Sequence, residues 1–160
     1  MHRRMWGTVA LFGFSLLLAE VPVNADEPKE IAFPELPKGA GKLDKDAPKK
    51  FTATKSDLKY RVLRKGSGVM PKATDSVKVN YHGWLNDGKV FDSSYKRGEA
   101  ISFPLNGVIK GWTEGMQLVG DGGMIELEIP PDLAYGDRGA GAAVPPKATL
   151  HFLVELLKIQ

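Results

Sequence analysis

From Leu58 onward, the apolar residues of this 160-residue chain fall at every second position in four separate runs. Leu58, Tyr60 and Val62 form the first, and Val77, Val79 and Tyr81 the second. Ile125, Leu127 and Ile129 form the third, and Leu150, Phe152, Val154 and Leu156 the last. A period of two belongs to a strand, whose successive side chains point to opposite faces. The intervening polar residues predict strands with one buried and one wet face, as in antiparallel sheets; Glu126 and Glu128 fall on the face read as solvated. Asn86-Asp87-Gly88 is a tight-hairpin signal, and Pro130-Pro131 stops the third strand. One stretch has a different period. Val108, Ile109, Trp112 and Met116 lie on one helical face, while Gly111 and Gly115 weaken that helix and make it short. Four or more antiparallel strands with one short helix predict an α+β fold, the helix covering one face of a twisted sheet.

The start of the chain reads differently. Met1-His2-Arg3-Arg4 is basic, the run from Met5 to Ala19 is apolar, and Val23 and Ala25 place small residues at −3 and −1 of a cut. That is the pattern of a secretory signal peptide over residues 1–25, its apolar run shorter than the roughly 20 residues a spanning helix needs. It predicts a periplasmic or secreted protein with no stable membrane insertion once the signal is removed. Residues 26–50 then hold six acids, six Lys and four Pro, with few apolar residues and no period among them. Such a composition cannot bury enough surface to offset chain entropy, so residues 26–53 are expected to be a flexible charged tether. Packing of Ile31-Ala32-Phe33 on the domain as a loose edge is the alternative. The segment has no heptads and is broken by Pro, which predicts a monomer. The folded domain is expected over 54–160.

Several chemistries are excluded by composition. The sequence has no Cys, hence no disulfide, thiolate metal site or thiol nucleophile. A net charge of +3 is too slight to suggest nucleic acid. Three His (His2, His82 and His151) are too scattered for a metal motif, so no metal and no cofactor are expected. His82 and His151 sit at strand positions that read as outward-facing. Neither a G-x-S-x-G elbow nor a phosphate loop is present. What stands out is the number of aromatic residues at strand ends and turns: Tyr81, Phe91, Phe103, Trp112, Tyr135 and Phe152. Small-ligand sites are concave and mostly apolar, with a few polar groups for orientation, and Asp92 and Tyr135 could supply those. Plain core packing is the competing reading of the same rings.

The segments Val77-Lys-Val-Asn-Tyr81-His-Gly83-Trp-Leu85 and Asp87-Gly88-Lys-Val-Phe91-Asp92-Ser93-Ser94 resemble the FKBP family of peptidyl-prolyl cis–trans isomerases. So do Phe103-Pro-Leu105, Val108-Ile109-Lys-Gly111-Trp112, Pro131-Asp-Leu-Ala-Tyr135-Gly136 and the tail Val144-Pro-Pro146 through Leu156. The likeness covers about residues 54–160. It implies a five- to six-stranded antiparallel sheet wrapped around one short α-helix, and an isomerase that assists the folding of exported proteins. It implies a pocket walled by Tyr81, Phe91, Phe103, Val108, Ile109, Val144 and Phe152, with Trp112 as floor. Asp92 and Tyr135 would form the polar rim, and the Ile109 backbone N–H would hold a substrate carbonyl. The implied partners are proline-containing peptides, unfolded exported proteins and macrolide inhibitors. The chain departs from the family pattern at Ile101, at Leu133, at the short connection Asn106-Gly107, and in the small-residue loop 138–144. These changes trim the pocket mouth and leave a non-catalytic peptide-binding module or holdase as the alternative.

Overall fold

The computed structural model describes residues 32–160. Its strands are β1 (Thr52–Ala53), β2 (Lys59–Arg64), β3 (Ser76–Leu85), β4 (Val90–Ser93), β5 (Ile101–Pro104), β6 (Met124–Ile129) and β7 (Leu150–Ile159). They form one seven-stranded sheet in the order β1-β2-β6-β7-β3-β4, with β5 also paired to β3. All pairings are antiparallel. β3 carries two short strands on one edge: its first half pairs with β5 and its second with β4. The β3–β4 hairpin turns where Asn86-Asp87-Gly88 predicts, with Gly88 at φ +80° and its N–H bonded to the Leu85 carbonyl.

The helix of residues Lys110–Gly115, α2, lies across one face of this sheet and continues into a 3-10 turn at Met116–Leu118. Trp112 and Met116 are buried in one cluster with Val77, Val79, Leu127, Phe152 and Val154. Gly111 and Gly115 do more than weaken the helix. A Cβ on Gly115 would lie 2.7–2.8 Å from the methyls of Leu127, and one on Gly111 would collide with Ile129. The two glycines therefore let the helix backbone sit directly on β6. A second helix, α1 (Ser94–Arg97), is one turn long and has no counterpart in the sequence reading, which expects a single helix. Four residues cannot show an amphipathic period, so only its caps mark it: the Ser93 side chain accepting from the Lys96 N–H, and Gly98 in the left-handed conformation.

Two expectations are corrected on the other face. Residues 32–51, expected as part of a free tether, run irregularly across the sheet and pack there. Phe33, Leu36, Ala40, Leu43 and Ala47 lie on a second apolar cluster of Leu63, Met124 and Leu153. The Asp44 N–H donates to the Leu63 carbonyl at 2.8 Å, and the Lys65 N–H to Asp44 Oδ2 at 3.0 Å. Single apolar residues without period suffice here, because an extended strap can place each one on a prepared sheet surface.

The strap also changes what lies beneath it. The face holding Glu126, read as solvated, is covered: Glu126 is 5% exposed and Arg61 1% exposed. Arg61 Nε donates to Glu126 Oε2 at 2.7 Å, while its Nη1 and Nη2 donate to the carbonyls of Lys49 and Ala32 at 2.9 and 2.8 Å. The guanidinium lies over the rings of Phe33 and Phe51, 4.9 and 4.7 Å from their centroids. Burial raises the Glu126 carboxyl above its ordinary range, although Arg61 pulls it back. β6 and residues Phe152–Leu156 of β7 are thus largely buried on both faces, contrary to the one-wet-face pattern.

Candidate active site

Between α2 and the concave face of the sheet is a cleft of about 610 Å³. β3 supplies Tyr81, β4 Phe91 and Asp92, β5 Phe103, and β7 Phe152. The turn into α2 supplies Val108 and Ile109, α2 supplies Trp112, and the loop before β7 supplies Tyr135 and Val144. Every candidate residue named from the sequence lines this one cleft. Ile101, Ala140 and Ala143 line it too. Ile101 is one of the positions read from the sequence as departing from the family pattern, and the alanines belong to the small-residue loop read in the same way.

Three of the ring pairs meet edge to face, and Phe103 is tilted at 57° to Trp112. Trp112 lies 5.1 Å from Phe152 at 88° and 5.4 Å from Tyr81 at 85°. Phe103 lies 5.3 Å from Trp112, and Phe91 lies 5.4 Å from Phe152 at 89°. Such T-shaped contacts satisfy the ring quadrupoles while leaving ring surface facing the cleft. Gly83 makes room: a Cβ there would lie 2.7 Å from Phe91 and 2.8 Å from Phe152. The Trp112 Nε1 is buried and has no hydrogen-bond partner among the described residues. The floor therefore presents an apolar indole with an unmet donor.

Polar groups gather on one side. Asp92 accepts from the Tyr81 hydroxyl and from Arg97 Nη1, and its Oδ1 also accepts from the Ser93 N–H at 2.8 Å. Arg97 Nη2 donates to the Tyr81 oxygen at 2.8 Å, which closes a three-membered cluster. Burial pushes the Asp92 carboxyl up, but the bonds from Tyr81 and Arg97 outweigh it and hold it below the usual carboxylate range. The Tyr81 phenol is pushed up, first by burial and then by the bond to Asp92. At neutral pH the cluster is a carboxylate, a neutral phenol and a guanidinium. None of them is poised to exchange a proton.

Arg97 was missed by sequence reasoning. It lies outside every alternating run, at the end of a helix too short to detect, and its only sign is its distance of five residues from Asp92. Tyr135 is 43% exposed at the rim. The Ile109 carbonyl accepts the first bonds of α2, from the N–H groups of Trp112 and Thr113. The Ile109 N–H has no partner among the described residues and is free to donate to a ligand. His82 and His151 are half-buried on the opposite face, where they line a separate groove of about 470 Å³ beside the strap. His82 Nδ1 lies 3.0 Å from Ser93 Oγ, and His151 Nε2 lies 2.7 Å from Asn86 Oδ1. Neither reaches the cleft.

Comparison with known proteins agrees with this geometry. A family model described as FKBP-type peptidyl-prolyl cis-trans isomerase matches residues 68–157. The chain is 47% identical over 144 residues to the FKBP-type 22 kDa peptidyl-prolyl cis-trans isomerase of Escherichia coli, covering 89% of this chain and 70% of that protein. It is 51% identical over 124 residues to the E. coli isomerase FkpA, covering 77% of this chain and 46% of FkpA. The crystal structure of FkpA superposes with a TM-score of 0.67 over 69% of this chain and 51% of that one. That of AtFKBP13 superposes with a TM-score of 0.64 at 37% identity, over 69% of this chain and 99% of that one. The chain thus spans about half the length of FkpA and more than two thirds of the 22 kDa enzyme. With its sheet, helix and ring-lined cleft in the family's arrangement, the chain belongs to the FKBP-type peptidyl-prolyl cis–trans isomerases.

Proposed function

We propose that the chain accelerates rotation about X-Pro bonds in exported proteins, using the cleft over Trp112 and no covalent chemistry. The observation that carries this is the pairing of an apolar, ring-lined floor with the cluster of Asp92, Tyr81 and Arg97 at its edge. Rotation of a peptide bond meets a barrier of ~18–20 kcal/mol, set by amide resonance. Resonance shifts charge from nitrogen to oxygen; twisting the bond by a quarter turn removes that charge separation. Water favours the planar amide, whereas an apolar slot favours the twisted one. The cleft therefore binds the transition state better than the ground state. A five-decade acceleration needs ~7 kcal/mol. Shape fit to the prolyl ring on Trp112 and anchoring of the flanking backbone supply what desolvation does not.

In this reading the roles divide simply. Tyr81, Phe91, Phe103, Val108, Val144 and Phe152 wall the prolyl ring. The Ile109 N–H holds the carbonyl after proline, and the Tyr135 hydroxyl orients the peptide at the rim. Asp92, ionised and held by Tyr81 and Arg97, gives the twisting carbonyl a fixed electrostatic neighbour. No step passes through a cofactor. Residues 1–31 lie outside the described residues, so the signal peptide over 1–25 enters from its sequence pattern. It places the enzyme in a periplasm or secretory path, acting as a monomer on proline-containing segments of unfolded exported proteins. Apolar macrolide ligands would compete for the same floor.

The test is cis-to-trans exchange of a short X-Pro peptide with the purified chain. The proposal expects acceleration at micromolar protein, a reduced rate in Tyr135→Phe, and competition by a macrolide. Peptide binding without any acceleration would replace the isomerase reading with a binding module or holdase.

A further inference from the structure

The strap and the active cleft lie on opposite faces of the sheet, yet one chain of side chains joins them. The Gly41 N–H donates to Glu155 Oε2 at 3.4 Å, and Arg64 Nη2 donates to Glu155 Oε1 at 2.6 Å. Arg64 Nη1 also holds the strap itself, at the Lys42 carbonyl, 3.1 Å away. Glu155 is 7% exposed, and it accepts one more bond, from the Tyr95 hydroxyl at 2.7 Å. Tyr95 belongs to α1, and two residues later α1 ends at Arg97, the residue that grips Asp92 and Tyr81.

A helix of four residues has almost no stability of its own, so outside bonds must fix its orientation. Its start is fixed to β3: Ser94 Oγ accepts from the Tyr81 N–H at 2.8 Å and donates to Asn80 Oδ1 at 3.0 Å. The Tyr95–Glu155 bond adds an anchor one residue further on, to β7. Tyr95 and Arg97, two residues apart, project to nearly opposite sides of the turn, so anchoring the first aims the second.

Resting on the isomerase reading of the cleft, we infer that Tyr95 is a positioning residue: through Glu155 and the strap it fixes α1, and so aims Arg97 at Asp92 and Tyr81. The states of the pair suit that role. Burial and the neighbouring carboxylate push the Tyr95 phenol well above its ordinary range. Burial alone would raise the Glu155 carboxyl, but the bonds from Arg64 and Tyr95 outweigh it and hold it low. Donor and acceptor thus stay fixed across the neutral range.

The experiment compares the full chain with Tyr95→Phe, Glu155→Leu and the double variant. Two quantities are read: kcat/KM on a peptide with one Leu-Pro bond, and the NMR signal of the Tyr81 hydroxyl proton. Loss of one charge-assisted bond that orders Arg97 is expected to lower kcat/KM about three- to tenfold in Tyr95→Phe. The double variant is expected to be no worse than the weaker single one, because both break the same link. The Tyr81 signal should shift or broaden in each, which a role confined to holding the fold would not produce. Gly41→Ala offers a second perturbation, since a Cβ there meets Arg64 and Glu155; it should move the same signal. A Tyr81 signal and rate unchanged in folded Tyr95→Phe, or losses that multiply in the double variant, would overturn the inference. A wild-type chain without isomerase rate would overturn the function proposed above, and the Tyr81 signal would still decide this one.

Discussion

Replacing Arg61 by Met tests the claim that the strap buries a charge pair. The side chains of Arg61 and Glu126 are 1% and 6% exposed. Removing the guanidinium leaves a carboxylate without its partner under the strap, and breaking such a pair costs about 3–5 kcal/mol. At ~4 °C per kcal/mol for a domain of this size, melting should fall by roughly 12–20 °C. The loss should also depend on pH. Burial already lifts the Glu126 carboxyl above its ordinary range, against the pull of Arg61. Without Arg61 it rises further, so between the unfolded value of about 4.3 and the raised folded value the folded state holds the extra proton. Stability of the variant is then fullest at low pH and drains away as pH climbs through that window. Urea unfolding of wild type and Arg61→Met at about pH 4.5 and pH 8 reads both effects. Arg61→Met/Glu126→Leu removes the stranded charge and should recover more than half of the deficit at pH 8, as when a buried pair is exchanged for apolar groups. A deficit under ~1 kcal/mol at pH 8, or one equal at the two pH values, would refute the burial of this pair.

Three further outcomes follow from other contacts. Gly115→Ala should destabilise the fold by ~1–3 kcal/mol in a thermal melt, because its new Cβ overpacks against Leu127; a stabilised variant, as helix propensity alone would give, would refute the close approach of α2 to β6. Arg97→Gln should move the acid limb of the pH–rate profile upward. The depressed Asp92 carboxyl keeps wild type charged, and any stability it contributes intact, until pH falls through the folded value, and loss of the Arg97 bond lets that value rise. Trp112→Phe should leave stability within ~1 kcal/mol, since lost burial is offset by removal of a buried donor without a partner. Its affinity for a prolyl peptide should nonetheless fall in a binding titration, as the floor area shrinks.

The sheet was legible because its evidence is local. Val77–Tyr81 and Ile125–Ile129 alternate strictly, Leu150–Leu156 does so except at Leu153, and Asn86-Asp87-Gly88 marks its hairpin. The cleft was legible in part for a related reason. Phe91-Asp92, Val108-Ile109 and Tyr135-Gly136 are short, distinctive strings, and their likeness to one family marks them as parts of a single site. Arg97 escaped because a one-turn helix has no period. The strap escaped because its apolar residues are spaced by an extended path over a surface, not by a repeat of their own. Glu126 was misread for the same reason: an acid between Ile125 and Leu127 looks wet until something is known to lie on top of it.

Strand periodicity, the turn chemistry and the identity of the rings are properties of neighbours along the chain, and the linear order alone decided them. Which face of the sheet stays open was decided only in three dimensions. Residues 32–51 close one face over Arg61 and Glu126, and α2, set low on two glycines, shapes the other into a cleft. Burial is a relation between segments far apart in the chain. No single segment carries the information that its polar side chains will be covered, paired or left facing a ligand.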